Sequence, residues 1–262
     1  MNIVVTVKQV IDPNLPPSHL ELDASKRRVS APAGIPPVMN GYDANALEEA
    51  LRLREQHGGK VTALCLGDDA SREVLRHAIA MGADAAVLID DAELLAADSA
   101  GTGEALAAAI GKIGDVDLVL CGRQASDTDA GQVLHWIAEA RGMPSVTPVS
   151  KIEALDAGAL IVHRLMDDGV QRLRVQLPAL IGVSSEINEP RFPAIRGRMA
   201  AGRAHIPAWT RADLDIEAAS ARVELRQLDI PVSSSRAQLI AGTSAAAQGA
   251  ALADTLHDLG LV

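Results

Sequence analysis

Asp117-Leu118-Val119-Leu120-Cys121-Gly122 is an apolar run, and it leads directly into Arg123-Gln124-Ala125-Ser126-Asp127-Thr128-Asp129-Ala130-Gly131-Gln132-Val133. The first part is typical of a buried strand, and the second is a polar, glycine-containing loop followed by a helical pattern. A helix start favours a phosphate group, because its first N–H groups have no intrahelical partners and lie at the positive end of the helix dipole. Clusters of Ser, Thr, Asp and Gly are also ordinary caps and turns, so the local pattern leaves both interpretations open.

The order of strand, loop and helix repeats along the first half of the chain. Predicted strands cover residues 2–10, 61–66, 85–89 and 118–121. Predicted helices cover residues 43–56, 71–81, 100–113 and a stretch that begins after Asp129. This alternation predicts a mainly parallel sheet with right-handed crossovers and helices on its faces.

The pattern changes after Pro144. Strands are predicted at residues 159–166, 170–176 and 179–183, and we expect them to extend the sheet in antiparallel fashion. A long irregular segment follows at residues 185–199, and a final helix carries Leu252, Leu256 and Leu259 on one face. The predicted fold is therefore an open α/β sheet of the adenine-nucleotide-binding type at residues 1–184. Residues 185–262 form a tail whose one apolar stripe needs another surface to cover it, and a partner subunit is a natural candidate.

Composition excludes some classes of protein. The 262 residues carry a net charge of −10 and only 2% aromatic residues, which argues against nucleic-acid binding. Cys65 and Cys121 lie inside apolar strands, so we predict that both are buried packing residues. The first residues do not resemble a signal peptide and no run of apolar residues is long enough to span a bilayer. We therefore expect a cytoplasmic protein without stable membrane insertion.

Ligands of open parallel sheets bind at the carboxyl ends of the strands, where the strand order reverses. Three segments should meet there: Thr6-Val7, Leu66-Gly67 and residues 123–134, beside the helix start Asn40-Gly41-Tyr42-Asp43. Neither GxGxxG nor GxxxxGK[ST] is present, which excludes a standard Rossmann site and a P-loop. Asp127 and Asp129 fit helix caps better than a metal or acid–base pair, and neither a catalytic residue nor a metal ligand is predicted.

These segments together resemble the β subunit of electron-transfer flavoproteins. The matching stretches, in chain order, are Val7-Lys8-Gln9-Val10 with Asp12, residues 44–54, residues 75–84, residues 123–133, and Asn188-Glu189-Pro190-Arg191-Phe192-Pro193. Each stretch alone is a weak match, but their order and spacing are specific. The resemblance implies an αβ heterodimer that carries electrons from flavoprotein dehydrogenases to an acceptor, with no substrate chemistry in the β subunit itself.

The resemblance also implies cofactors and the residues that contact them. One FAD would be held mainly by the α subunit and contacted by β, and an AMP with a structural role would lie within β. The positions that carry over are Thr6, Asn40, Gly41, Tyr42, Asp43, Leu66, Arg123, Gln124, Ala125, Ser126, Asp127, Thr128, Asp129, Ala130, Gly131, Gln132, Val133 and Leu134. The AMP phosphate would interact with the first-turn amides that follow Thr128 and Asp129, while the adenine would fill apolar space between strands.

A second implied site is the surface that docks on a dehydrogenase. It corresponds to about residues 189–198, with an apolar anchor at Ile195. The other docking residues that the resemblance implies are Glu189, Pro190, Arg191, Arg196 and Arg198, and the two arginines beside Ile195 suit a polar, steering rim. On this resemblance, residues 185–262 would supply the docking loop and a C-terminal arm that packs on the α subunit.

Several residues depart from the family pattern and keep alternatives open. Met199 is followed by Ala200-Ala201-Gly202-Arg203 where lysines are common, and the 193–197 stretch with Trp209 is similar to bifurcating members, in which a second FAD replaces AMP. Leu134-His135-Trp136 is unlike those members and favours AMP. An alternative of another class is a stand-alone nucleotide-binding regulatory module, which has no use for the segment after Ser184. An adenylate-using hydrolase or ligase lacks its expected phosphate motif after the first strand.

Overall fold

The computed structural model describes residues 1–23, 25, 28–217, 221–230 and 237–262. The strands are β1 Asn2–Thr6, β2 Gln9–Val10, β3 Glu21–Asp23, β4 Arg28–Ser30, β5 Val38–Met39, β6 Lys60–Leu66, β7 Ala85–Ile89, β8 Leu118–Gly122, β9 Ser145–Asp156, β10 Ala159–Met166, β11 Gly169–Gln176, β12 Ala179–Val183 and β13 Ala208–Trp209. The helices are α1 Gly41–His57, α2 Arg72–Met81, α3 Ala92–Leu95, α4 Ser99–Ile113, α5 Val133–Arg141, α6 Ile195–Ala201 and α7 Ala245–Asp258.

Within the described residues, nine strands form one sheet in the order β11-β10-β9-β12-β8-β1-β6-β7-β13. The pairs from β9 to β13 along this order are parallel, and β10 is antiparallel to both β9 and β11. Two small antiparallel pairs, β2–β5 and β3–β4, lie outside the main sheet. The predicted fold class, an open and mainly parallel α/β sheet with an antiparallel extension, is confirmed.

The central strands are buried on both faces, which explains their continuous apolar sequences. One core cluster joins β1 residues Ile3 and Val5 to the apolar faces of α1 and α2. The other joins Val4 of β1 to α4 and α5. Successive side chains of a strand point to opposite faces, so one short strand supplies both layers.

Three parts of the sequence-based assignment were wrong. Residues 2–10 do not form one strand: β1 ends at Thr6, and Gln9–Val10 pairs with β5 instead. Residues 179–183 were expected to be antiparallel, but β12 lies parallel between β8 and β9. Its five residues are all buried, as expected of a central parallel strand. The strand β9 was not predicted, because its mixed polar sequence gives only a partly buried pattern.

The irregular segment predicted at 185–199 is shorter than expected, because it contains a 3-10 turn at Ser185–Ile187 and the start of α6. Residues 1–227 form one compact unit and residues 228–262 form another. In the second unit, Ser244 caps α7, and Leu252 and Leu259 are exposed. The predicted tail also includes residues 218–220 and 231–236, which lie outside the described residues. No helix in the described part of the chain is long and apolar enough to span a membrane.

The helix α6 packs on α2 through Gly197. A Cβ atom at Gly197 would lie 2.1 Å from the carbonyl oxygen of Ala80, the penultimate residue of α2. That distance is far below van der Waals contact and involves backbone, which cannot rotate away. The absence of a side chain at Gly197 therefore sets how closely α6 approaches α2.

We expect Gly197→Ala to destabilise the chain by about 1–3 kcal/mol, because the added methyl group must push α6 away from α2. Alanine favours a helix interior over glycine, so helix propensity alone predicts the opposite sign. Gly202→Ala is the matched control, since a Cβ atom there would meet its nearest atoms at 3.7 and 3.8 Å. Chemical denaturation of both variants measures the difference. Equal stabilities would contradict the steric argument.

Candidate functional site

Most of the predicted site residues lie near the carboxyl ends of β1 and β8. The chain runs from β1 to β6 and β7 on one side, and then crosses to β8 on the other side, so the strand order reverses between β1 and β8. Val5 pairs with Leu120, which places the ends Thr6 and Gly122 at the same edge. We call this region, formed by Thr6–Lys8, Asn40–Asp43 and Gly122–Gln132, the crevice.

The carboxylate of Asp43 joins the three segments of the crevice. It accepts a hydrogen bond of 2.8 Å from the Lys8 backbone N–H and one of 3.1 Å from the Gly122 backbone N–H. The side chain of Asn40 also donates to it. Burial raises the pKa of Asp43 to about 7, although these hydrogen bonds and the nearby charge of Lys8 act in the opposite direction.

Gly122 is required for this arrangement. A Cβ atom at Gly122 would lie 2.4 Å from Oδ1 of Asp43 and 2.7 Å from Cβ of Tyr42. The end of β8 can therefore approach the start of α1 only with a glycine at this position.

Asn40 connects the start of α1 to the polar loop after β8. Its side-chain amide donates to the Gln124 carbonyl at 2.9 Å, and its side-chain oxygen accepts from the Ser126 N–H at 3.2 Å. Because Asn40 is committed to the loop, it makes no side-chain capping bond to α1. The positive end of this 17-residue helix is therefore left without a side-chain cap beside the loop.

The polar loop has a compact internal structure. The Thr128 and Asp129 N–H groups both bond to the Ala125 carbonyl, and the Gln124 side chain donates to the Asp129 carboxylate. Asp129 has φ of 48° and Gly131 has φ of 61°, which are left-handed conformations that a right-handed helix cannot contain. The helix predicted to start after Asp129 therefore starts at Val133, and its first-turn amides lie further along the chain than expected.

Arg123 stacks on Tyr42 at the mouth of the crevice. Its guanidinium carbon lies 5.0 Å from the ring centroid, and Nη2 donates to the Tyr42 hydroxyl at 3.3 Å. Its Nε is buried and has no hydrogen-bond partner within the described part of the chain. A buried N–H donor without a partner is costly, and an anion is the kind of group that satisfies it.

The remaining predicted residues of the nucleotide site have different surroundings. The Thr6 side chain bonds to the Cys121 thiol, and Leu66 ends β6, on the far side of β1 from the loop. Val133 and Leu134 are the first two residues of α5; Leu134 is buried in the core and Val133 packs against it. Asp127 pairs with the ammonium group of Lys8. Lys8 was not among the predicted site residues. Its link to the loop is visible only from this contact, because the two residues are far apart in the sequence.

Both cysteines are free and buried, as predicted. Burial raises the pKa of each thiol to about 12, so neither is a reactive thiolate near neutral pH. Among the described residues there is also no group of three or more side chains arranged to bind a metal ion.

The predicted docking segment is clamped to α1 by Asn188 and Arg191. Arg191 Nε donates to Glu48 at 2.7 Å and its Nη1 donates to Glu55 at 2.5 Å. Burial alone would raise the pKa of Glu48, but hydrogen bonds from arginine side chains hold it below its ordinary value. Asn188 donates to the backbone of Asn45 and to Glu49. Arg191 thus holds the segment on α1 of the same chain.

Three apolar side chains, two in the docking segment and one directly after it, are exposed to solvent. Phe192 is 94% exposed, Ile195 is 80% exposed and Met199 is 60% exposed. Ile195 and Met199 are four residues apart in α6 and share a face of the helix. We call these three residues the apolar patch. Phe192 and Met199 were not predicted as contacts, although Phe192 is the only phenylalanine in the sequence. Glu189, Arg196 and Arg198 are exposed around it, whereas Pro190 is half-buried.

Comparison with known proteins gives a consistent result. The electron transfer flavoprotein domain profile matches residues 29–214. The chain is 40% identical over 218 residues to the electron transfer flavoprotein subunit beta of Thermoanaerobacterium thermosaccharolyticum. The aligned region covers 83% of this chain and 81% of that protein. It is 41% identical over 217 residues to the Caffeyl-CoA reductase-Etf complex subunit CarD of Acetobacterium woodii, covering 82% and 80%. It is 37% identical over 221 residues to an electron transfer flavoprotein subunit beta of Mycobacterium tuberculosis, covering 82% and 81%.

Asp43 gives a pH-dependent test of the crevice. A carboxyl group whose pKa is raised on folding stabilises the fold most at low pH, and this stabilisation is lost as the pH rises through its folded value of about 7. Asp43→Ala removes the group and lowers the free energy of unfolding. The difference in this free energy between wild type and variant should be smaller by about 1 kcal/mol at about pH 8 than at about pH 6. Denaturant titrations of both proteins at each pH measure this change.

The control is Asp167→Ala, which removes a carboxyl group from the exposed turn between β10 and β11. A stability loss for Asp43→Ala that grew with rising pH would show that the sign of the Asp43 pKa shift is wrong.

Proposed function

Because this chain belongs to the electron transfer flavoprotein family, we propose that it is the β subunit of an αβ heterodimer that carries electrons from a flavoprotein dehydrogenase to an acceptor. The observation that carries the proposal is the crevice, where Asp43 and Asn40 bring together the segments that resemble the family's nucleotide site. On this proposal, residues 1–184 form the nucleotide-binding domain and residues 185–262 serve docking and α-subunit contact. A cytoplasmic location is part of the proposal.

We propose that the crevice binds AMP as a structural component. Three observations fit a phosphate group: the uncapped start of α1, the uncapped start of α5, and the buried Nε of Arg123 without a partner in the described chain. In addition, a Cβ atom at Gly41 would have no atom within 4 Å, so the start of α1 leaves open space. The residues that would hold the nucleotide are Thr6, Asn40–Asp43, Leu66 and 123–134. AMP would act as a core component and undergo no reaction.

The electron-carrying group in this proposal is a FAD held mainly by the α subunit, whose flavin ring accepts and releases electrons when bound. The β chain would contact this FAD and cover it from water. A second FAD in place of AMP is the alternative, since both ligands share an AMP moiety. Leu134 is buried in the core and Trp136 packs against Gly103 of α4. The stretch Leu134-His135-Trp136, which differs from the bifurcating pattern, therefore affects helix packing as well as the nucleotide site.

We propose that the apolar patch docks on the dehydrogenase. An exposed apolar group surrounded by charges is typical of a hot spot inside a steering rim. Exposed Arg196 and Arg198 provide the charges. The clamp between Arg191 and Glu48 would fix the direction in which the patch points.

The nucleotide content of the complex tests the proposal. We expect that co-expression with an α-type subunit yields a heterodimer, and that denaturation releases FAD and AMP in amounts equal to the heterodimer. Asn40→Ala should lower the AMP content and leave FAD in place, because Asn40 holds the loop of the β crevice. Twice as much FAD and no AMP would favour the second flavin. A chain that binds nucleotide but no α subunit would favour the stand-alone module.

Ile195→Ala tests the docking surface. We expect it to lower the rate of electron transfer from the dehydrogenase by about tenfold or more, as for a central apolar anchor, while assembly and FAD content stay unchanged. Val170→Ala is the matched control, because Val170 is an exposed apolar residue on β11, outside the patch. Stopped-flow reduction by the dehydrogenase measures the rates. Equal rates for wild type and Ile195→Ala would exclude Ile195 as the anchor.

A further inference from the structure

Lys8 belongs to the first segment of the crevice and contacts the other two. Its backbone N–H donates to Asp43 at 2.8 Å, and its carbonyl accepts from the Asn40 N–H at 2.9 Å. These two bonds fix the backbone of Lys8 on the start of α1. Its side chain then leaves from a defined position and crosses to the loop after β8.

The ammonium group of Lys8 holds Asp127, which is 119 positions away in the sequence. Nζ lies 2.6 Å from Oδ2 and 2.8 Å from Oδ1 of this carboxylate. A partly exposed ion pair alone contributes little to stability. Here, however, the backbone of the lysine is already fixed, so less conformational freedom is lost in forming the pair.

The attachments of the loop lie next to one another. Asn40 holds it at the Gln124 carbonyl and at the Ser126 N–H, and Lys8 holds it at Asp127. The pair also compensates the Asp127 charge. An uncompensated carboxylate at that position would repel a phosphate group bound in the crevice.

We propose that Lys8 is a positioning residue of the nucleotide site, which acts through Asp127 and does not itself bind the phosphate. It fixes the loop over the crevice and neutralises the carboxylate that the loop carries. Both oxygens of Asp127 already hold the ammonium group, so direct phosphate binding would have to displace a carboxylate. This inference rests on the proposed nucleotide-binding function.

A double-mutant cycle tests the inference on the full chain, freed of bound nucleotide and titrated with AMP and, separately, with FAD. Lys8→Met keeps both backbone bonds and removes the charge, and we expect it to weaken binding by about tenfold. In an Asp127→Asn background the same change should weaken binding by less than about twofold, because Lys8 then has no charge to compensate. High salt should reduce the loss in the single variant.

Two controls accompany the cycle. Lys8→Arg retains the charge and should bind nearly as well as wild type. Lys60→Met removes a lysine at the amino end of β6, on the opposite edge of the sheet, and should leave affinity unchanged. Melting temperatures of all variants show whether they are folded.

An equal loss from Lys8→Met in both backgrounds would overturn the inference, since it would identify Lys8 as a direct phosphate ligand. Unchanged affinity in a folded Lys8→Met variant would also overturn it. A wild-type chain that binds neither AMP nor FAD would contradict the proposed function itself, and the inference with it.

Discussion

The structure around the site depends on one carboxylate. Asp43 lies in the first turn of α1 and accepts backbone hydrogen bonds from the end of β1 and the end of β8. Parallel strands that diverge leave their terminal N–H groups without a neighbouring strand, and a buried N–H without a partner is costly. One side chain satisfies both groups. Asp43 must be buried to reach both N–H groups, and this burial raises its pKa to about 7. The same carboxyl group therefore stabilises the fold through its hydrogen bonds and costs free energy when it is ionised, because burial disfavours the charged form.

Side chains of the helix α1 contact two different regions of the molecule, the crevice and the docking segment. Its first turn supplies Asp43 to the crevice, and the following turns supply Asn45, Glu48 and Glu49 to the clamp on residues 188–191. These polar residues are buried, in a helix whose other buried positions are apolar. A buried carboxylate needs a partner, and Arg191 provides one for Glu48. The proposed nucleotide site and the proposed docking segment are therefore held by one rigid element.

The sequence predicted those features whose causes are local. The bounds of β7 and β10 were correct because their apolar runs end at turn residues, and the convergence of the crevice segments followed from βα alternation alone. The direction of β12 could not be predicted, because it depends on which strands lie beside it. The start of α5 was missed because the left-handed backbone of Asp129 has no sequence signal as strong as that of glycine. Lys8 was missed because its partner is distant in sequence, and the exposure of Phe192 depends on how the clamp turns the chain.

The close approach of Gly122 to Asp43 has a consequence for how such chains evolve. Any side chain at residue 122 collides with the carboxylate, while any loss of the carboxylate leaves the N–H of residue 122 and that of Lys8 without their acceptor. Neither position can change first without loss of stability, so substitutions at the two sites are epistatic. A lineage that replaces one of them must pass through a less stable intermediate, and the pair is expected to be inherited as a single unit.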